Sequence, residues 1–248
     1  MKTITLIIGG YRGIGRSIYE TLHKRGDKVY CISRSNINKN EFLQADITTQ
    51  SGIKFIQKFF DKNKINNLIF TQRYRGDNND EEYNVILKAT NNIIKISKFK
   101  KNDCSIVILG SIASSTIIGD QNATYHLTRG ALETLTKYYA YKLGKQKVRV
   151  NCIQPTKIFK PENKKFFNKK NKDRKLLEKI TPLGRMGSSE DIANLAEFLT
   201  SKKSSYITGT IIPVDGGLRL AGQEQIAKLF KKWKIFLLLK EWDMLVQF

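Results

Sequence analysis

The residues with the clearest chemical use lie near the start of the chain. Gly9-Gly10-Tyr11-Arg12-Gly13-Ile14-Gly15 follows an apolar run at residues 3–8 and opens an amphipathic segment. Glycines at such a turn allow positive φ and let a phosphate approach the backbone at a positive helix terminus. A turn of this kind at a first strand–helix junction is the expected seat of a dinucleotide. Arg34 stands just past the second apolar run, where a dinucleotide-binding α/β protein places the residue that reads the ribose. A cation there suits a 2′-phosphate, and Arg12 adds a second one, so the expected cofactor is NADP(H) rather than NAD(H).

These residues need an alternating scaffold to hold them, and the periodicity supplies one. Strand patterns fall at 3–8, 28–33, 44–47, 67–71, 105–109, 148–153 and 210–214. Helical patterns fall at 51–63, 80–97, 122–144 and 189–200, after a first helix that runs to about residue 26. Strands alternating with helices imply right-handed βαβ units and a parallel sheet, with ligands at the carboxyl ends of the strands. The fold class is therefore α/β, a Rossmann-like doubly wound parallel sheet flanked by helices. It forms a single domain over 1–220, with a helical extension at 221–248.

Glycine spacing and several downstream motifs together resemble the short-chain dehydrogenase/reductase family. Leu109-Gly110-Ser111, Tyr125-His126-Leu127-Thr128-Arg129 and Val150-Asn151-Cys152-Ile153-Gln154-Pro155 appear in the family's order. Pro182-Leu183-Gly184-Arg185, Glu190-Asp191-Ile192-Ala193, Ile207-Thr208-Gly209 and Val214-Asp215-Gly216-Gly217 continue it. The resemblance spans about residues 2–218 and is strongest to β-ketoacyl-acyl-carrier-protein reductases. It implies that Tyr125 is the acid toward a carbonyl and that Ser111 binds the carbonyl oxygen, with Ser114 as the alternative. It also implies that Asp46 and Ile47 flank the adenine, that Pro155 and Ile158 lie beside the nicotinamide, and that Asn91 or Thr90 supports a proton relay.

Four residues after Tyr125 the family has a lysine that holds the ribose and lowers the phenol pKa; here that residue is Arg129. Residues i and i+4 share a helix face, so Arg129 can supply charge. Its guanidinium is planar, however, and does not release a proton. The family's Asn-Asn-Ala-Gly turn is matched to Phe70-Thr71-Gln72-Arg73, which places bulk against the expected cofactor, and Thr156 replaces the glycine after Pro155. His23 and His126 lack metal-ligand spacing, so no metal is expected.

The balance of 44 Lys+Arg against 22 Asp+Glu leaves a net charge of +22. That charge suits an acidic partner, although a chain rich in Lys, Asn and Ile also carries the mark of an AT-rich genome. Between residues 157 and 179 eight further lysines and arginines surround Phe159, Phe166 and Phe167. The resemblance makes this stretch a lid, fitting an acyl carrier protein or CoA-linked substrate; a solvated loop is the plainer alternative. No nucleic-acid module accompanies it. Ile226, Leu229, Phe230, Trp233 and Leu237 fall at helical spacing opposite Lys228, Lys231, Lys232 and Lys234. This tail is expected to pack on its own subunit or a neighbour rather than on a membrane surface, in a homo-oligomer or a hetero-oligomer with another family subunit.

No window approaches the ~20 apolar residues of a membrane span. Residues 1–10 are expected to form a strand and a turn rather than a signal peptide. Cys31, Cys104 and Cys152 sit inside apolar runs and suit a reducing, cytoplasmic setting. The expected function is NADP(H)-dependent reduction of a ketone, a 3-oxoacyl thioester on acyl carrier protein or CoA. The alternatives are a catalytically impaired subunit that supports an active paralogue, and an enzyme acting on a nucleotide sugar or other small polar substrate.

Overall fold

The computed structural model describes residues 2–35, 40–101 and 103–229. Seven parallel strands form one sheet in the order β3-β2-β1-β4-β5-β6-β7. They are β1 (Ile4–Ile8), β2 (Lys28–Ser33), β3 (Phe42–Gln44), β4 (Asn67–Phe70), β5 (Cys104–Leu109), β6 (Val148–Pro155) and β7 (Ile211–Val214). The helices are α1 (Gly13–Lys24), α2 (Gln50–Lys62), α3 (Asn79–Tyr83), α4 (Ala89–Ile96), α5 (Ala123–Gly144), α6 (Lys172–Ile180) and α7 (Ser189–Leu199).

Central strands of such a sheet are covered on both faces, so they are apolar throughout rather than alternating. Leu6, Ile8, Leu68, Phe70, Ile106, Ile108 and Val150 meet Ile56 and Phe60 of α2, Ile93 of α4 and Leu132 of α5. The residues between them, Ile7, Ile69, Val107 and Ile153, meet Ile18 and Leu22 of α1 and Ile192 and Leu199 of α7 on the opposite face. Chain order reverses between β1 and β4, and a crevice opens there at the carboxyl ends of the strands.

Four expectations need adjustment. The third strand is Phe42–Gln44 rather than 44–47, because Phe42 pairs with Cys31 and is buried. Asp46 lies beyond the strand, in a turn where its carboxylate accepts the Thr48 amide at 2.9 Å. The helix expected at 80–97 is divided into α3 and α4 by a π-helical turn, Asn84–Lys88. The charged stretch after β6 contains α6, capped by the Asn171 side chain accepting from the Arg174 amide at 2.8 Å.

Among the described residues, no helix is long and apolar enough to cross a membrane. Residues 223–229 are helical. Phe230, Lys231, Lys232, Trp233, Lys234 and Leu237 lie outside the described residues. The three cysteines are buried in β2, β5 and β6, and burial pushes the Cys31 and Cys152 thiols up to about 12.

Candidate active site

A cavity of about 650 Å³ lies over the carboxyl ends of the strands, with the glycine turn at one side and Ser111 and Tyr125 at another. Ser111 leaves β5 in extended conformation, and its Oγ accepts from the Ala113 amide at 3.2 Å. Tyr125 sits in the first turn of α5. The side chain of the N-cap, Asn122, accepts from the Tyr125 amide at 2.8 Å and fixes where that turn begins. As a result Tyr125 Oη donates to Ser111 Oγ at 3.4 Å. His126 braces the connecting loop, with Nδ1 2.8 Å from the Ala113 carbonyl oxygen.

Arg129 is one turn further along α5, and its guanidinium carbon lies 4.5 Å from the centroid of the Tyr125 ring. It therefore addresses the face of the ring, an arrangement in which a cation and an aromatic quadrupole attract. Its Nη2 donates to Glu82 Oε1 at 3.4 Å, and each of the two side chains is only 5 % exposed. Glu82 belongs to α3, which Asn79 also ties to α5 through a 3.1 Å bond from Asn122 Nδ2. A guanidinium beside a buried carboxylate no longer presents a full positive charge to its surroundings.

The structure separates the alternatives left open by the sequence. Ser111 faces Tyr125, whereas Ser114 Oγ donates to the Ser111 carbonyl and accepts from Gln154 Nε2 at 2.6 Å. Asn91 does not line the cavity, since its Oδ1 accepts from Tyr139 Oη at 2.6 Å. Thr90 is fully buried and meets Gln72, a cavity residue, whose Nε2 donates to Thr90 Oγ1 at 2.7 Å. Phe70 does not obstruct the cavity as expected, because it ends β4 and packs in the core. The turn begins at Thr71, and Arg73 and Arg75 reach the cavity wall.

On the nucleotide side, Gly9 has φ +93°, and a Cβ there would stand 2.8 Å from the Gln72 amide nitrogen. A Cβ on Gly15 would meet Thr71 Oγ1 at 2.5 Å and the Gly9 carbonyl oxygen at 2.8 Å. Both positions require glycine. The Gly13 amide, at the start of α1, donates to Glu162 Oε1 at 2.6 Å. A carboxylate thus occupies the kind of anion position a dinucleotide phosphate uses, and the cradle fits such a group.

Ile14 lines the cavity, while Tyr11 lies 5.0 Å beneath the exposed Arg12 guanidinium. Arg34 is exposed beyond β2. Burial raises the Asp46 pKa, but hydrogen bonds from Thr48 and the charge of Arg34 outweigh it and leave the carboxyl below its usual range. Ile47 is buried, and Pro155 and Ile158 line the cavity with Thr156 and Lys157 between them.

Three contributors carry no site signal in the sequence: Glu82, Arg75 and Glu162. Lys160 stands out there only as one of the lid's cations. Burial and the facing charges of Arg73 and Arg75 lower the Lys160 pKa, against the opposing pull of Glu162. Acidic residues are scarce in a +22 chain, which is the one feature that could draw attention to Glu82 and Glu162.

A family model described as enoyl-(acyl carrier protein) reductase matches residues 82–219. The chain belongs to the short-chain dehydrogenase/reductase family. A tropinone reductase homologue of Arabidopsis thaliana is 31 % identical over 245 residues, covering 88 % of this chain and 92 % of the relative. L-xylulose reductase of Bos taurus is 28 % identical over 243 residues, covering 86 % and 94 %. A short-chain dehydrogenase of Leptospira borgpetersenii with bound NAD+ is 27 % identical, with a TM-score of 0.75 over 88 % of this chain and 93 % of that one. This family membership makes the chain an oxidoreductase of the NAD(P)-using class; neither of these two curated relatives is named as a ketoacyl-carrier-protein reductase.

Proposed function

We propose that this oxidoreductase reduces a ketone on a small polar substrate, using NADPH. The observation that carries the proposal is the Tyr125 Oη to Ser111 Oγ contact of 3.4 Å, in a cavity continuous with the glycine turn. Arg12, Arg34 and the α1 amides would hold the dinucleotide, which supplies a hydride to the carbonyl carbon when bound. Ser111 donates to the carbonyl oxygen and orients it. Tyr125 transfers its phenolic proton to that oxygen as the alcohol forms, and Arg129 above the ring opposes the charge left behind. Such positioned proton transfer is worth roughly 10²–10⁴-fold in rate.

Asp120, Gln121 and Thr156 on the cavity wall offer hydrogen-bonding groups suited to substrate hydroxyls. They favour a hydroxyketone of the size of a ketopentose, and the name of the bovine relative points to the same substrate class. Lys157 and Lys160 at the wall favour a second substrate class, the 3-oxoacyl thioester whose carrier or CoA bears phosphate.

The test is NADPH and NADH oxidation by the purified protein with a ketopentose and with an acetoacetyl thioester, beside Tyr125→Phe. Turnover with the ketopentose that Tyr125→Phe removes is the expected result. Turnover with the thioester alone would replace the substrate. Dinucleotide binding without turnover of either would point to a supporting subunit, its Arg129 held by Glu82.

A further inference from the structure

We infer that Glu162 is a built-in competitor for the phosphates of the dinucleotide, so that nucleotide uptake must lift the turn that carries it. The inference rests on the nucleotide reading of the glycine turn. α1 is a twelve-residue helix whose N-cap, Arg12, makes no capping bond with its side chain, and no acidic residue stands in its first turn. The leading amides of such a helix lack partners within the helix. One is taken by a carboxylate 149 residues away, Glu162 Oε1 on the Gly13 amide at 2.6 Å.

The placement of Glu162 is built into the lid. Ile158 is buried, and Phe159 exchanges backbone hydrogen bonds with Gly187 at 2.7 Å and Ser189 at 3.1 Å, which anchors the root of the segment. Beyond that root, Pro161–Asn163 forms a short 3-10 turn, closed by the Lys160 amide donating to Asn163 Oδ1 at 2.7 Å. Glu162 on this turn is exposed, so its hold on Gly13 is not forced by core packing.

Charge gives the contact its direction. Arg73 and Arg75 on the cavity wall repel Lys160, and Glu162 is the anion that attracts it. Lys160 Cδ and both Glu162 carboxylate oxygens lie 3.4–3.9 Å from the place a Gly13 Cβ would occupy, so the two side chains close over the same turn. One carboxylate among three cations is a weaker counter-ion than a pyrophosphate. A dinucleotide can therefore displace it, yet every binding event must first break the Gly13–Glu162 bond. A hydrogen bond to a charged group of this kind corresponds to roughly tenfold or more in affinity.

The experiment is titration of NADPH and NADH into the wild type, Glu162→Gln and Glu162→Ala by calorimetry, with hydrogen exchange read on residues 159–164. Tighter NADPH binding in both variants, by roughly tenfold, together with faster exchange of 159–164 when the wild type binds, is the expected result. Equal or weaker binding in the variants, against measurable binding in the wild type, would overturn the inference and leave the dinucleotide site standing. No binding of either nucleotide to any of the three proteins would overturn both. Circular dichroism of the variants establishes that the exposed substitution leaves the fold intact.

Discussion

Two arginine–carboxylate pairs, each with a buried carboxylate, sit at opposite ends of the same sheet, and they are built differently. At the amino ends of the strands, Arg25 donates to both oxygens of Asp27 at 3.1 and 2.7 Å, to the Glu197 carbonyl at 2.9 Å and to Thr200 Oγ1 at 3.0 Å. Asp27 also accepts from Thr5 Oγ1, which in turn accepts from Asn67 Nδ2. At the carboxyl ends, Arg129 has a single 3.4 Å bond to Glu82 and an aromatic face. Buried charges demand partners in proportion to their donors and acceptors. The lower pair is nearly saturated and joins β1, β2, β4 and α7 into one unit. The upper pair keeps guanidinium donors available at a cavity, which is what a site needs and a brace does not.

Substitutions should separate the two roles. The largest effect is expected from Tyr125→Phe, which keeps the ring under Arg129 but removes the proton; carbonyl reduction should fall about 10²–10⁴-fold with unchanged thermal stability. Arg25→Met is the mirror case. It leaves Asp27 buried without its cation, so urea denaturation should show a loss of ~3–5 kcal/mol, while kcat/KM of the folded fraction stays at the wild-type value. A variant at Arg25 that kept its stability but lost activity would erase the distinction drawn between the two ends.

Local patterns make much of the site legible. The glycine turn, Ser111 and Tyr125 are each marked by a few adjacent residues at a strand end or helix start, and the structure brings them to one cavity. Misplacements arise where phase is ambiguous. The apolar run places Phe70 within a strand at 67–71, whereas matching the family's turn counts it as the first turn residue; all four residues of β4 are buried and Phe70 is its last. The sequence favours Asn91 for the relay, yet Thr90 faces the cavity residue Gln72 instead, because the preceding π-helical turn adds a residue and rotates the rest of the helix. Glu82 and Glu162 meet their partners 47 and 149 residues away, and no local spacing encodes such pairs.

A smaller effect is expected from Glu82→Gln. The variant retains a polar side chain of the same size but leaves the Arg129 charge uncompensated, at about 1–3 kcal/mol in stability. Because a bare cation over the ring favours an anionic oxygen, the high-pH fall in the rate of reduction should move to lower pH. A merely structural carboxylate would lower the melting temperature without moving that limb, so the pH–rate profile is the measurement that decides. The equivalent removal of charge at the other end, Asp27→Asn, should leave the profile where it is.

The smallest effect tests a surface pair against the two at the sheet ends. Asp191 accepts from Arg185 through both carboxylate oxygens at 2.8 Å and from the Ser188 amide at 2.7 Å, closing a capping box at the start of α7. Those bonds, the one to Arg185 foremost, hold its pKa at about 2 despite the opposing effect of burial. A carboxyl depressed on folding stabilises above its unfolded pKa of ~3.9, and that contribution disappears as pH falls through about 2. Arg185 is 55 % exposed, so solvent screening and the cap together should limit the cost of Asp191→Asn to ~1 kcal/mol. Thermal melts should therefore show the variant ~2–4 °C below the wild type at pH 6, with the gap closing as the pH approaches 2. A gap that persisted unchanged in acid would mean that the carboxylate charge contributes nothing and that the neutral cap alone holds α7.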